Sequence, residues 1–124
     1  MIDINLVKQA KSIRSKHIDT INQYNALLGE LDKYKKELLS YQDKISKIDV
    51  NEETQQNVNE VLNIMDEFDI TIEKLNKKIQ PLIKDMENLD NNAKLLYNKI
   101  KENHPNKTDE ELKAQLFKQI SELN

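Results

Sequence analysis

Residues 58–100 read VNEVLNIMDEFDITIEKLNKKIQPLIKDMENLDNNAKLLYNKI, and apolar side chains recur there at Val58, Val61, Met65, Phe68, Ile72, Leu75, Ile79, Leu82, Met86, Leu89, Ala93, Leu96 and Ile100. Steps of three and four alternate along the whole stretch without a slip. A helix turns once in about 3.6 residues, so this spacing lines up one seam, the a and d positions of a coiled coil, facing a second helix. A second helix is available in the same chain. Residues 6–48 keep the same alternation through Leu6, Ala10, Ile13, His17, Thr20, Tyr24, Leu27, Leu31, Tyr34, Leu38, Tyr41, Ile45 and Ile48.

Ten residues separate Ile48 from Val58, and that distance breaks the heptad phase. A continuous rod would put Glu52, Gln55 and Asn59 at core positions. The intervening Asp49-Val50-Asn51-Glu52-Glu53 lacks core residues and carries helix-capping candidates. Asp49 with Glu52 fits a capping box, and Asn51 is the alternative cap. The pattern therefore predicts that residues 1–103 form an antiparallel coiled-coil hairpin, with helices over about 5–48 and 52–103. With Ile48 opposite Val58, facing positions sum to 106, and each a residue meets a d residue as far as Leu6 opposite Ile100. Each arm would be about 64 Å long at 1.5 Å per residue.

Charge agrees with this register. Residues 33–48 carry five lysines against Glu37 and Asp43, whereas the facing residues 58–73 carry Glu60, Asp66, Glu67, Asp69 and Glu73 and no base. Flanking positions set Arg14 near Asp90, Lys35 near Asp69 and Glu30 near Lys78. Each exposed pair contributes only about 0.2–0.5 kcal/mol, so such charges select orientation more than they stabilise.

A second break falls at Asn103-His104-Pro105-Asn106-Lys107, because proline disfavours helix in the residue before it. Thr108-Asp109-Glu110-Glu111 then forms a capping box. Residues 104–124 are thus read as a short C-terminal amphipathic helix with the stripe Leu112, Leu116, Phe117, Ile120 and Leu123. A helix of this length is marginal alone. It is expected to fold back over the apolar residues outside the hairpin seam, Ile18, Ile21, Leu28, Ile83, Leu95 and Tyr97, and otherwise to bind another subunit or a different protein. The fold class is all-α: a long antiparallel coiled-coil hairpin with a short C-terminal helix, closing into a three-helix bundle at its open end.

Composition excludes several functions. Charged residues make up 33% of the 124 and aromatics 5%, with one glycine, two prolines and no cysteine. That profile suits long helices rather than a sheet or a compact enzyme, and it removes disulfide frames and thiolate metal sites. A net charge of −3 gives no global attraction to nucleic acid or anionic lipid. No apolar run reaches the roughly 18 residues of a membrane span. Lysine outnumbers arginine 18 to 1 and asparagine and isoleucine are abundant, a bias that suits an AT-rich genome, such as that of a phage, a large DNA virus or a low-GC microbe. The expected location is the cytoplasm, or the virion or host cytoplasm for a viral chain.

No phosphate loop, His-Glu-x-x-His, cysteine pair or nucleophile elbow is present. Asp66, Glu67 and Asp69 point apart on a helix and have no glycine turn to gather them as calcium ligands. His17 falls on the seam and is read as a polar register element. No catalytic residue, metal ligand or cofactor site is assigned. The candidate partner contacts are Leu62, Ile64 and Ile70, which do not fit the seam, with Leu112, Leu116, Phe117, Ile120 and Leu123. A candidate basic patch comprises Lys8, Lys11, Arg14, Lys16, Lys94, Lys99 and Lys101. Gly29 and Pro81 are candidate hinge positions, since both weaken a helix. The expected function is that of a non-enzymatic structural or interaction protein, an assembly factor, spacer or adaptor in a larger complex, its partners being copies of itself or other protein subunits. The alternative is an accessory module regulating a nucleic-acid machine through the basic patch.

Overall fold

The computed structural model describes residues 1–123. Among them are three helices and no strand: α1 (Ile4–Ser46), α2 (Gln55–Asn103) and α3 (Asp109–Glu122). The predicted C-terminal segment 104–124 ends at Asn124, which lies outside the described residues. The chain forms two compact units, one from Met1–Asn22 together with the chain from Ile83 on, the other from Gln23–Leu82.

The Gln23–Leu82 unit is a two-helix hairpin. Its buried residues are Leu31 on α1 and Val58, Leu75 and Ile79 on α2, all seam positions. The rings of Tyr34 and Tyr41 lie 5.9 and 5.6 Å from that of Phe68. Phe68 is therefore level with the midpoint of 34 and 41, next to residue 38, as the register read from the heptads requires. Tilted aromatic pairs of this kind add about 0.5–1.5 kcal/mol each beyond their buried area. The other seam residues are half-buried, because two helices enclose only one side of each side chain.

The turn differs from its expected bounds. α1 ends at Ser46 rather than near 48, and α2 begins at Gln55 rather than near 52. Between them is a reciprocal cap at Asn51, the alternative to Asp49. The Thr54 N–H donates to Asn51 Oδ1 at 3.0 Å, and the Asn51 N–H donates to Thr54 Oγ1 at 3.0 Å. The Thr54 hydroxyl also donates to the Asp49 carbonyl at 2.8 Å. Together these bonds hold residues 51–54 in a turn before the helix proper.

The unit containing both termini is a three-helix assembly. Asp3 starts α1 by accepting the Asn5 N–H on its side chain at 2.7 Å. Thr108 caps α3, accepting the Glu111 N–H at 3.2 Å, and Asp109, Glu110 and Glu111 place negative charge in the first turn of α3, where the helix dipole favours it. α3 folds back within the chain. It starts beside α2, where the Tyr97 hydroxyl donates to Asp109 Oδ1 at 2.7 Å, and ends beside α1, where Lys11 Nζ donates to the Leu123 carbonyl at 3.3 Å. It thus crosses the seam. Leu112 and Ile120 join Ile2, Val7, Leu96 and Ile100 in one buried cluster, with Leu6, Ala10, Ile13, Tyr97, Leu116 and Leu123 packed around it.

The surface that α3 covers is not quite the expected one. Ile18 and Leu95 remain 48% and 65% exposed, whereas Ile2 and Val7, outside the heptad seam, are buried. Ile2 is held by Gln119, the only polar residue buried in the described core. The Ile2 N–H donates to Gln119 Oε1 at 3.0 Å, and Gln119 Nε2 donates back to the Ile2 carbonyl at 2.9 Å. Gln115 Nε2 adds a third bond to Gln119 Oε1 at 3.0 Å. A primary amide matches a backbone N–H and C=O pair in this way, so burial leaves neither group unsatisfied.

Replacing Gln119 strands two buried backbone groups, each costing about 1–3 kcal/mol. Gln119→Ala is therefore expected to lower unfolding free energy in urea by about 2 kcal/mol or more, with α3 the first segment to exchange its amide protons. A loss under about 0.5 kcal/mol, the range of an ordinary surface change, would show that the clamp contributes little.

Candidate functional site

In the Gln23–Leu82 unit, Leu62 and Ile70 are exposed, at 44% and 53%, while Ile64 is half-buried beside the seam. Leu62, Asp66, Ile70 and Glu73 follow one another at steps of four, four and three along α2, with Asp69 next to Ile70, and no basic residue occurs between Gln55 and Glu73. Leu39, 63% exposed on α1, and Val50, 62% exposed in the turn, add apolar surface. The sequence reading missed both. Leu39 follows the seam residue Leu38, so only its heptad position, one place past the core, distinguishes it.

The predicted α3 contacts divide. Leu112 and Ile120 are 1% and 8% exposed and belong to the chain's own core, where they have no surface to offer a partner. Leu116 and Leu123 pack against the same cluster. Phe117 alone is largely exposed, at 57%.

All seven residues of the predicted basic patch lie in the unit containing the termini, but several are engaged there. Lys94 pairs with Asp90 at 3.0 Å and Lys101 with Asp109 at 3.3 Å. Lys11 is bonded to the Leu123 carbonyl, and the Arg14 guanidinium carbon lies 5.8 Å from the centre of the Phe117 ring. Lys8, Lys16 and Lys99 point to solvent. Acidic residues interleave with these bases, so the unit carries 11 basic against 10 acidic side chains. The other ion pairs, Lys36–Asp32, Lys47–Asp43 and Lys77–Glu73, are four residues apart on single helices. The interhelical pairs expected at Arg14–Asp90, Lys35–Asp69 and Glu30–Lys78 do not close to within 4 Å among the described residues.

The densest polar cluster joins α2 to the start of α3. The Tyr97 hydrogen bond, then the Lys101 hydrogen bond and charge, hold the Asp109 carboxyl below its usual range. Desolvation, followed by Asp109, pushes the Tyr97 hydroxyl up. The cluster fastens the α2–α3 turn.

Two hollows lie along the seam of the unit containing the termini. One, of about 240 Å³, lies where the three helices meet, among apolar residues that include Ala10, Ala93 and Leu116, with Arg14, His17 and Phe117 around it. The other, of about 370 Å³, is on the flank of the seam lined by Gln9, Ser12, Asn92, Leu95 and Lys99. No group of three histidine, aspartate or glutamate side chains is placed to hold a metal ion among the described residues. No helix among them is long and apolar enough to cross a membrane.

Gly29 and Pro81 both lie within helices. Pro81 is exposed inside α2 and offers no N–H to the Lys77 carbonyl. Gly29 is exposed on α1 with nothing within 4 Å of the space a Cβ would take.

No protein-family model, curated protein or solved structure matches the chain.

Two outcomes test these assignments. Gly29→Ala removes backbone freedom from the unfolded chain without a clash, and is expected to raise stability by about 0.5–1 kcal/mol in chemical denaturation. Tyr97→Phe is expected to let the Asp109 pKa rise toward the ordinary carboxylate range in an NMR titration. A carboxylate with a lowered folded pKa stabilises the fold above its unfolded pKa, and that contribution disappears as pH falls through the folded value. The variant should therefore be less stable than the parent at neutral pH, and the difference should shrink in acid below the usual carboxylate range.

Proposed function

We propose that the chain is a non-catalytic interaction protein, serving as an assembly factor, spacer or adaptor in a larger protein complex, with its binding surface on the Gln23–Leu82 unit. The observation that carries this reading is the exposure of Leu62 and Ile70 on α2, outside the seam that holds the hairpin together. Two helices need a single apolar stripe to pair. Leu62 and Ile70 are not required for that pairing, and with Leu39 they leave apolar surface on both helices of the unit. Exposed leucine and isoleucine among acidic side chains supply the apolar anchors and charged rim that protein association uses. The even charge balance of the other unit, and the internal engagement of Lys11, Arg14, Lys94 and Lys101, favour a protein partner over nucleic acid.

A photo-crosslinking side chain placed at Leu62 or Ile70, in cells of the native host, is expected to trap one defined protein or a second copy of the chain. The same group placed at exposed Lys84 should trap neither. Leu62→Ser with Ile70→Ser is expected to change stability by no more than about 0.5 kcal/mol per site, as for ordinary surface positions, while abolishing capture. Capture that survives the double substitution would sink the assignment of this surface. Salt-sensitive binding of DNA or RNA by the purified chain would overturn the protein-partner reading in favour of the nucleic-acid one.

A further inference from the structure

We infer that the hollow where α3 crosses the α1–α2 seam is a binding site for a straight-chain aliphatic carboxylate. The inference starts from two alanines. Ala10 and Ala93 occupy seam positions, and in the hairpin register they face Leu96 and Ile13. Elsewhere such positions hold leucine, isoleucine, valine, methionine or an aromatic residue, apart from the polar His17 and Thr20. Two large side chains are therefore missing within one turn of each other, on opposite helices. α3 does not replace them. Leu112 is buried outside the hollow's lining, Leu116 and Ile120 form part of its wall without filling it, and Phe117, the largest side chain on its stripe, stays 57% exposed at the rim.

What remains is a hollow of about 240 Å³ with Ala10, Ile13, Ala93, Leu96, Ile100 and Leu116 among its walls. The hollow is open to solvent on one side, so its apolar walls are wetted and lack the dispersion contacts of a filled core. An apolar chain gains on both counts. At about 30 Å³ for each water-sized group, the volume takes roughly eight such groups.

The rim selects the headgroup. Arg14 and His17 border the hollow, and neither aspartate nor glutamate lines it. Arg14 has no acidic partner within 4 Å among the described residues. Asp90, its neighbour by register, is paired with Lys94 at 3.0 Å. The Phe117 ring lies by the guanidinium, at 5.8 Å from its carbon to the ring centre, and a ring face takes up none of its hydrogen-bond donors. A guanidinium in this position matches a carboxylate, which accepts two parallel hydrogen bonds from it. An ammonium headgroup would instead meet like charge.

The test is calorimetric titration of the full chain with hexanoate, octanoate, decanoate and dodecanoate, below their micelle concentrations, with 1-octanol as the uncharged probe. Saturable one-to-one binding is expected. It should tighten about fourfold per added methylene, the equivalent of burying each CH₂, until the chain outgrows the hollow near ten carbons. Arg14→Gln should weaken octanoate at least tenfold, as loss of a charge-assisted pair implies, and leave 1-octanol unchanged. Ala93→Leu and, separately, Ala10→Leu should fill the space, abolish binding of both probes and raise the melting temperature. Should either leucine variant lose its helical circular dichroism, the exposed Arg14 substitution decides alone. Absence of saturable binding overturns the inference. So does binding that ignores Arg14→Gln, which would signify adsorption to exposed apolar residues such as Leu95.

Discussion

Two helices packed along one seam enclose only a strip of each other, and the rest of this structure follows from that constraint. A side chain at an a or d position meets the facing helix on one side and solvent on the other. In the Gln23–Leu82 unit only four residues, Leu31, Val58, Leu75 and Ile79, are buried, and none of them completely, though the heptads supply many more. The unit containing the termini meets the same constraint by recruiting a third element. α3 covers one flank of the seam and brings Val7, Ile100 and Leu112 to 1% exposure or less. Its 14 residues gain stability from that burial rather than from propensity, as short helices must.

Docking a third helix creates a polar problem at the chain's beginning, and its solution fixes where α3 can lie. Ile2 precedes α1, so its backbone N–H and C=O have no helical partners, yet its side chain is only 3% exposed. The Gln119 amide satisfies both groups. Because that pairing needs a donor and an acceptor at fixed spacing, it specifies the seat of α3 more narrowly than apolar contact does. At the other end of the helix, Asp109 is bound by Tyr97 and Lys101 of α2. One polar contact near each end, with leucine and isoleucine between them, leaves little freedom to slide.

The hairpin was legible in the sequence because heptad spacing is a one-dimensional signal: it needs only the period of the helix. The register was legible too, and the packing of Tyr34 and Tyr41 about Phe68 agrees with it. α3 was legible from Thr108 and its apolar stripe. Its seat was not, because Ile2 and Gln119 are 117 residues apart and neither belongs to any periodic pattern. Val7 was missed for a related reason. It lies one place past the seam residue Leu6, where a two-helix pattern expects a flank open to solvent. Charge misled in the opposite direction. Opposite signs on facing helices predicted contacts, but lysine and aspartate four residues apart on one helix meet more readily than side chains reaching across a seam.

These two solutions leave different surfaces outward. Where α3 covers the seam, most of the apolar stripe becomes core, and Phe117 and the Ala10–Ala93 hollow mark where the covering is incomplete. Where no third helix is available, α1 and α2 keep both flanks open, and Leu39, Leu62 and Ile70 lie outside the seam altogether. Pairing does not require leucine or isoleucine at such positions, and polar side chains would serve solubility better. Isoleucine is also a weaker helix former than lysine or glutamate, so Ile70 gains little for α2 itself. The enclosure that α3 provides in one unit thus has no counterpart in the other, whose helices keep leucine and isoleucine in solvent.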